Sequence, residues 1–331
     1  MKAHAHSHDG PGPHTHGAVD PALLTAERGI WAVKWSLLVL AITAALQLVV
    51  VVFTGSVALL ADTMHNLGDA GTAIPLWIAF RLAGRAPTRR FTYGLGRFED
   101  LAGIAVVLTI LVSAMLAGTH AIDRLLNPQP VEHLWAVAVA AIVGFVGNEM
   151  VARFRIRVGE EIASAALVAD GQHARADALT SLAVLASVIG VWLGFPLADP
   201  LVGLAITIAI LRIVWESGKT VLTRAADGVD PEVVSEIERE LGDLPGIEQV
   251  TGVRVRWLGH RMLAEVSVAI DGKLTVTAGH EIAVEARHRL LHRLPYLSDS
   301  VVHVDPEECA GDEHHKVDAH AHDGLGPHGH C

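Results

Sequence analysis

Ala61-Asp62-Thr63-Met64-His65-Asn66-Leu67-Gly68-Asp69-Ala70 and Ala169-Asp170-Gly171-Gln172-His173-Ala174-Arg175-Ala176-Asp177-Ala178 share one pattern, A-D-x-x-H-x-x-x-D-A. Each copy lies inside a long apolar run. At helical spacing, a His and an Asp four residues apart sit on one face, one turn from each other. His65 with Asp69, and His173 with Asp177, therefore each offer an imidazole and a carboxylate in one direction. Two such helices facing each other supply two nitrogens and two oxygens, a tetrahedral set suited to Zn²⁺ at roughly 2.0–2.2 Å. A carboxylate at the centre of a membrane helix costs about 2.5–3.5 kcal/mol or more, so it persists only with a partner. A lone polar residue there is also read as glue between helices. Four ionisable groups at repeated spacing point instead to a divalent cation.

Around this repeat stand other polar residues. Asp62 and Asp170 precede the two histidines by three residues, nearly one turn. They are expected to orient the imidazoles or relay protons, or else simply to face a water-filled vestibule. Arg175 lies on a different face from the ligands and invites an acidic partner. Asn148 and Glu149 lie at depth in the fourth run, to line an aqueous path or to bond a neighbouring helix. Pro75 is expected to kink the second run.

The surrounding composition agrees with a membrane setting. Of 331 residues, 51% are hydrophobic and 18% charged, against roughly 25% charged in soluble domains, and mean hydropathy is +0.40. Disordered and collagen-like chains are excluded. The net charge of −11 without a basic patch argues against a nucleic-acid partner. Cys309 and Cys331 cannot staple a fold. The polar, His-rich Met1–Gly17 is not read as a signal peptide.

Six apolar runs follow, near Ile30–Phe53, Ser56–Leu82, Leu101–Leu125, Leu134–Phe154, Ile162–Phe195 and Leu197–Leu211. Most approach the roughly 20 residues needed to cross a bilayer. Arg81, Arg85, Arg89, Arg90 and Arg97 surround the second connection, and Arg153, Arg155 and Arg157 mark the fourth. The other loops are poor in Lys and Arg, as at Asn127-Pro128-Gln129-Pro130. The positive-inside rule then places both termini in the cytoplasm, in the inner (plasma) membrane of the cell.

After residue 222 the composition turns soluble. Asp230-Pro231-Glu232 opens a helix with Val233, Ile237 and Leu241 on one face, stopped at Pro245-Gly246. Val250–Leu258 and Met262–Ile270 alternate as strands around a Gly259-His260 turn. Thr275–Leu294 reads as an amphipathic helix and Val301–Val304 as a last strand. The expected fold is a membrane α-helical protein with six transmembrane helices (30–222), then a small cytoplasmic α+β, ferredoxin-like α-β-β-α-β domain (223–308). The flanking tails, 1–29 and 309–331, carry His4, His6, His8, His14, His16, His314, His315, His320, His322, His328 and His330. They are read either as weak multivalent metal capture or as tag-like segments without a role.

These residues resemble the cation diffusion facilitator family over about Trp31 to Pro306. The resemblance rests on the paired H-x-x-x-D motifs, the six-helix plan, the cytoplasmic domain, and the glycine-rich Tyr93-Gly94-Leu95-Gly96-Arg97-Phe98-Glu99 before helix three. It implies a homodimer that exports divalent metal, mainly Zn²⁺, in exchange for protons, with His65, Asp69, His173 and Asp177 as the transport ligands. Leu95 stands where some relatives carry a loop histidine, so no loop site is expected. His260, His280, His303 and Asp305 resemble the family's cytoplasmic zinc ligands, with surface histidines as the plain alternative. Thr251 or Gly252 replaces a further ligand, which favours one metal there over two.

The expected function is thus proton-coupled export of Zn²⁺, with divalent ions, protons and the bilayer as partners. Metal binds neutral imidazole and ionised carboxylate, so protons compete with it. A membrane-tethered metal sensor or store is the alternative, and an intramembrane metalloenzyme a weaker one. No H-E-x-x-H run and no phosphate loop occur, so no enzyme activity is expected.

Overall fold

A computed structural model describes residues 21–54, 71, 73–126, 134–195 and 198–311. Its membrane part comprises α1 (Pro21–Thr54), α2 (Ala73–Ala83), α3 (Arg97–Leu126), α4 (Leu134–Glu161), α5 (Ala165–Trp192) and α6 (Ala198–Ala225). Among the described residues, five helices are long and apolar enough to cross a bilayer. The expected second span, Ser56–Leu82, lies partly outside the described residues, and α2 is its described end. Large apolar side chains such as Val52, Phe53, Ile208 and Trp215 are bare on the outer helix faces. An exterior of this kind suits lipid rather than water.

Several boundaries differ from the sequence expectation for local reasons. The fifth run was expected to begin at Ile162, but Ala163 has φ 53° and Ser164 caps α5. The Ser164 hydroxyl accepts from the Leu167 N–H at 3.1 Å, which satisfies one of the open donors of the first turn. The sixth run extends past Leu211 to Ala225, because charges there pair along the helix, as Arg212 does with Glu216 at 2.9 Å. Pro75 falls in the first turn of α2, where proline is tolerated without a kink.

The α4–α5 hairpin is closely packed. A Cβ on Gly171 would lie 2.9 Å from the Ile156 backbone nitrogen. Small residues at such crossings let membrane helices approach backbone to backbone.

The soluble part follows the expected order: α7 (Pro231–Gly242), β1 (Gln249–Leu258), β2 (Arg261–Ile270), α8 (Val276–Arg293) and β3 (Leu297–Pro306). The sheet order is β1-β2-β3, with β1 antiparallel and β3 parallel to β2. Asp230 and Thr275 cap the two helices, accepting from the N–H groups of Glu232 and Ala278. Ile237 and Leu241 of α7 and Ala286 and Leu290 of α8 pack on Val266 and Val268 of the sheet. Strand β3 is longer than Val301–Val304, since its parallel register runs from Leu297 to Pro306.

The two parts dock through the β1–β2 turn. Gly259 has φ +64°, and a Cβ there would meet the Glu99 carboxylate at 2.7 Å. Its N–H donates to Asp100 Oδ2 at 3.2 Å. The glycine is required twice, by its left-handed backbone and by the close approach. Beside it, Arg97 reaches the Arg224 carbonyl and pairs with Asp227.

Candidate metal site

Helix α5 carries the described half of the repeat. His173 is 2% exposed, and its Nε2 stands 3.9 Å from Asp177 Oδ2. One turn separates them, as the i, i+4 spacing requires. The distance is too long for a direct hydrogen bond and suits two groups that converge on a third. Asp62, His65 and Asp69 lie outside the described residues. Among the described residues, no three His, Cys, Asp or Glu side chains gather as a metal site. On the repeat's own logic the set needs both helices.

Asp170 does have a partner, which the sequence reading missed. Arg155 Nη1 of α4 lies 2.9 Å from Asp170 Oδ2, and the side chains are 2% and 0% exposed. In sequence, Arg155 stands with Arg153 and Arg157 among the charges that mark the fourth connection. Those two are 75% and 82% exposed, but Arg155 points inward. A signal was present: its neighbours one turn away, Val151, Ala152, Val158 and Gly159, are all apolar or small and all buried. Arg175 finds the acidic partner it invited, since its Nε lies 3.6 Å from Glu149 Oε2. That contact bonds Glu149 to a neighbouring helix, and Glu149 also accepts from Arg153 of its own helix at 2.7 Å. Two ion pairs therefore join α4 to α5, on either side of His173 in the chain.

In the soluble part, His280, His303 and Asp305 line one cleft of about 370 Å³ between α8 and β3. His303 Nε2 is 2.9 Å from Asp305 Oδ1, with His303 56% exposed and Asp305 buried. His280 shares the cleft with that pair, but the three side chains do not converge as a ligand set.

His260 does not join them, which corrects the four-residue grouping. Strand β2 pairs Ser267 with His303 and Ala269 with Asp305, whereas His260 precedes Arg261 at the strand's other end. Seven residues, from His260 to Ser267, at about 3.3 Å each put roughly 23 Å between them. His260 is buried against the membrane part instead, with Nδ1 2.7 Å from Glu99 Oε2 and its ring near Phe80. A turn histidine looks exposed in sequence, and only the docking of the two parts buries it.

A bundle of membrane-length apolar helices carrying a small α+β domain defines an integral membrane protein with an appended domain. The chain matches the model of the cation efflux transmembrane domain over residues 33–223. It matches the model of the cation efflux protein cytoplasmic domain over residues 229–307. It belongs to the cation efflux, or cation diffusion facilitator, family, whose members are transporters and not enzymes. A "probable cation efflux system protein" of Mycobacterium tuberculosis is 52% identical over 315 residues, covering 92% of this chain and 95% of that protein. The zinc transporter ZitB of Escherichia coli is 26% identical over 295 residues, covering 87% of this chain and 91% of the relative. Among solved structures, a variant of "MamM-CTD" is similar, at 21% identity and TM-score 0.23, covering 23% of this chain and 95% of that one.

Proposed function

We propose that the chain exports divalent metal from the cytosol, Zn²⁺ first among candidates, in exchange for protons. The ion in passage is held by His65 and Asp69 of helix two and by His173 and Asp177 of α5. One observation carries the reading: a buried imidazole and a carboxylate, one turn apart, converge inside a membrane-length helix. Metal binds the neutral imidazole and the ionised carboxylate, so loading expels whatever protons the site holds and protons compete with metal for it. The name of the Escherichia coli relative as a zinc transporter supports Zn²⁺ as the substrate.

The same reading has six spans in the inner membrane, with both termini cytoplasmic and the Arg-rich connections inside. Two copies associate through residues 223–308, and the cytoplasmic-domain model matched there is one of dimerising domains. The cleft of His280, His303 and Asp305 binds a second, regulatory Zn²⁺ on the cytosolic side. Flux of Zn²⁺ into proteoliposomes, with and without an imposed proton gradient, tests the proposal. Metal uptake that tracks the gradient supports it. Metal binding without flux would leave a sensor or store in its place.

A further inference from the structure

We propose that His288 and His292 of α8 form a metal site on the surface of the soluble part. It takes a divalent cation of the imidazole-preferring kind, Zn²⁺ first, with water in the remaining positions. The inference goes beyond the transport reading and does not rest on it.

The helix pattern makes the pair. Ala286 and Leu290 of α8 are buried against the sheet. His288 and His292 each follow two residues later, which puts them on the opposite side, and both are exposed. Being four apart, they face each other across one turn. Their rings meet, with centroids 4.3 Å apart and planes at 66°. Neither ring belongs to the core, so packing does not impose the contact. Zn–N bonds run to about 2.0–2.1 Å, and one ion can therefore bridge two imidazoles held this close. Among the described residues no third His, Cys, Asp or Glu converges with them.

The charges nearby admit a cation. Three arginines flank the histidines, and each is drawn aside. Arg287 Nη2 pairs with Asp299 Oδ1 of β3 at 2.9 Å. Arg289 and Arg293 turn toward α7, with their Nε atoms 3.9 and 3.8 Å from Glu240 Oε2. Glu285, one turn before His288, is exposed and adds negative charge on the same side. His292 stands in the last turn of α8, where open carbonyls give a helix its negative end and favour a cation. Two imidazoles without a carboxylate cage suit Zn²⁺, Cu²⁺, Ni²⁺ or Co²⁺, whereas Mg²⁺ and Ca²⁺ need oxygens. The cleft of His280, His303 and Asp305 is a separate place. His280 lies eight residues before His288, about 12 Å along the axis, and the α8 wall of that cleft ends at Ala283.

The test follows amide hydrogen exchange along α8 in the full chain, in detergent, over a titration with Zn²⁺. An ion that bridges His288 and His292 binds only the helical form. It therefore slows opening of the last two turns by one plus the ratio of free Zn²⁺ to Kd. At ten times the Kd that the titration gives, exchange over residues 288–293 should be about elevenfold slower. His288→Gln and His292→Gln should each remove the slowing, and His280→Gln should retain it. Mg²⁺ at the same concentration should leave exchange unchanged. No slowing in the unaltered chain overturns the proposal. So does slowing that survives both variants of the pair, that vanishes in His280→Gln, or that Mg²⁺ reproduces. If His292→Gln frays the last turn before metal is added, His288→Gln decides alone. Zn²⁺ flux is not a readout here, so failure of the transport reading leaves this test standing.

Discussion

The chain carries two His–Asp pairs built by different periodicities. In α5, His173 and Asp177 are four apart on a helix and 3.9 Å from each other. In β3, His303 and Asp305 are two apart on a strand and 2.9 Å from each other. The strand pair already satisfies itself, with His303 open to water. In the helix pair His173 is withdrawn from solvent, and Asp177 stands too far from it for a direct hydrogen bond. On the proposed reading, burial is what separates a donor pair for passage from a donor pair for sensing. Ligand chemistry is the same in both.

The largest effect should come from the helix pair. Asp177→Ala, or Asp69→Ala on the partner helix, should abolish transport and leave a folded, membrane-inserted protein. Residues that merely support a ligand cost 10–100-fold, so a ligand itself should cost about 100-fold or more. Near-normal Zn²⁺ flux in either purified variant breaks the contrast outright.

Acid should act on the same pair next. Metal needs neutral imidazoles, and an imidazole titrates near about 6.5. Protonation therefore opposes loading, so flux is retained above that pH and falls as cytosolic pH drops below about 6. A flux that stays flat between roughly pH 5.5 and 8 removes proton competition from the mechanism.

The strand pair should show itself in stability instead. A ligand present at a hundred times its Kd stabilises the folded form by about 2.7 kcal/mol. Thermal melting of the full chain with Zn²⁺ should therefore shift less in His280→Ala/Asp305→Ala than in the unaltered protein. Equal shifts in both return His280, His303 and Asp305 to ordinary surface residues.

The junction between the two regions should respond more locally. His260→Ala leaves Glu99 buried without its imidazole, and hydrogen bonds to charged groups contribute about 1.5–3 kcal/mol. Hydrogen exchange over residues 258–262 should quicken, with flux reduced less than in the Asp177 variant. Unchanged exchange would falsify the picture of His260 as a docking residue. The smallest effect belongs to the tails. Removing Met1–Gly17 and Glu313–Cys331 should weaken apparent metal affinity modestly and leave transport intact, because flexible histidine tracts only raise local metal concentration. Loss of transport on that deletion contradicts it.

Much of this was legible in the sequence because it depends on periodicity. The repeated His-x-x-x-Asp spacing determines which residues share a helix face, and six apolar runs announce a membrane domain. Alternation in 250–270 and the capping residues Asp230 and Thr275 determine the order α-β-β-α-β. These are local properties, set by backbone geometry and by the solvent each face meets. Tertiary structure alone decided the partners. Arg155 turned inward onto Asp170 because α4 and α5 pack at small residues. His260 stands apart from His280 and His303 because the Gly259 turn docks on α3 beside Glu99. The small and apolar neighbours of Arg155 mark an inward face, but its partner, like the burial of His260, is set by a surface that exists only after the chain has folded.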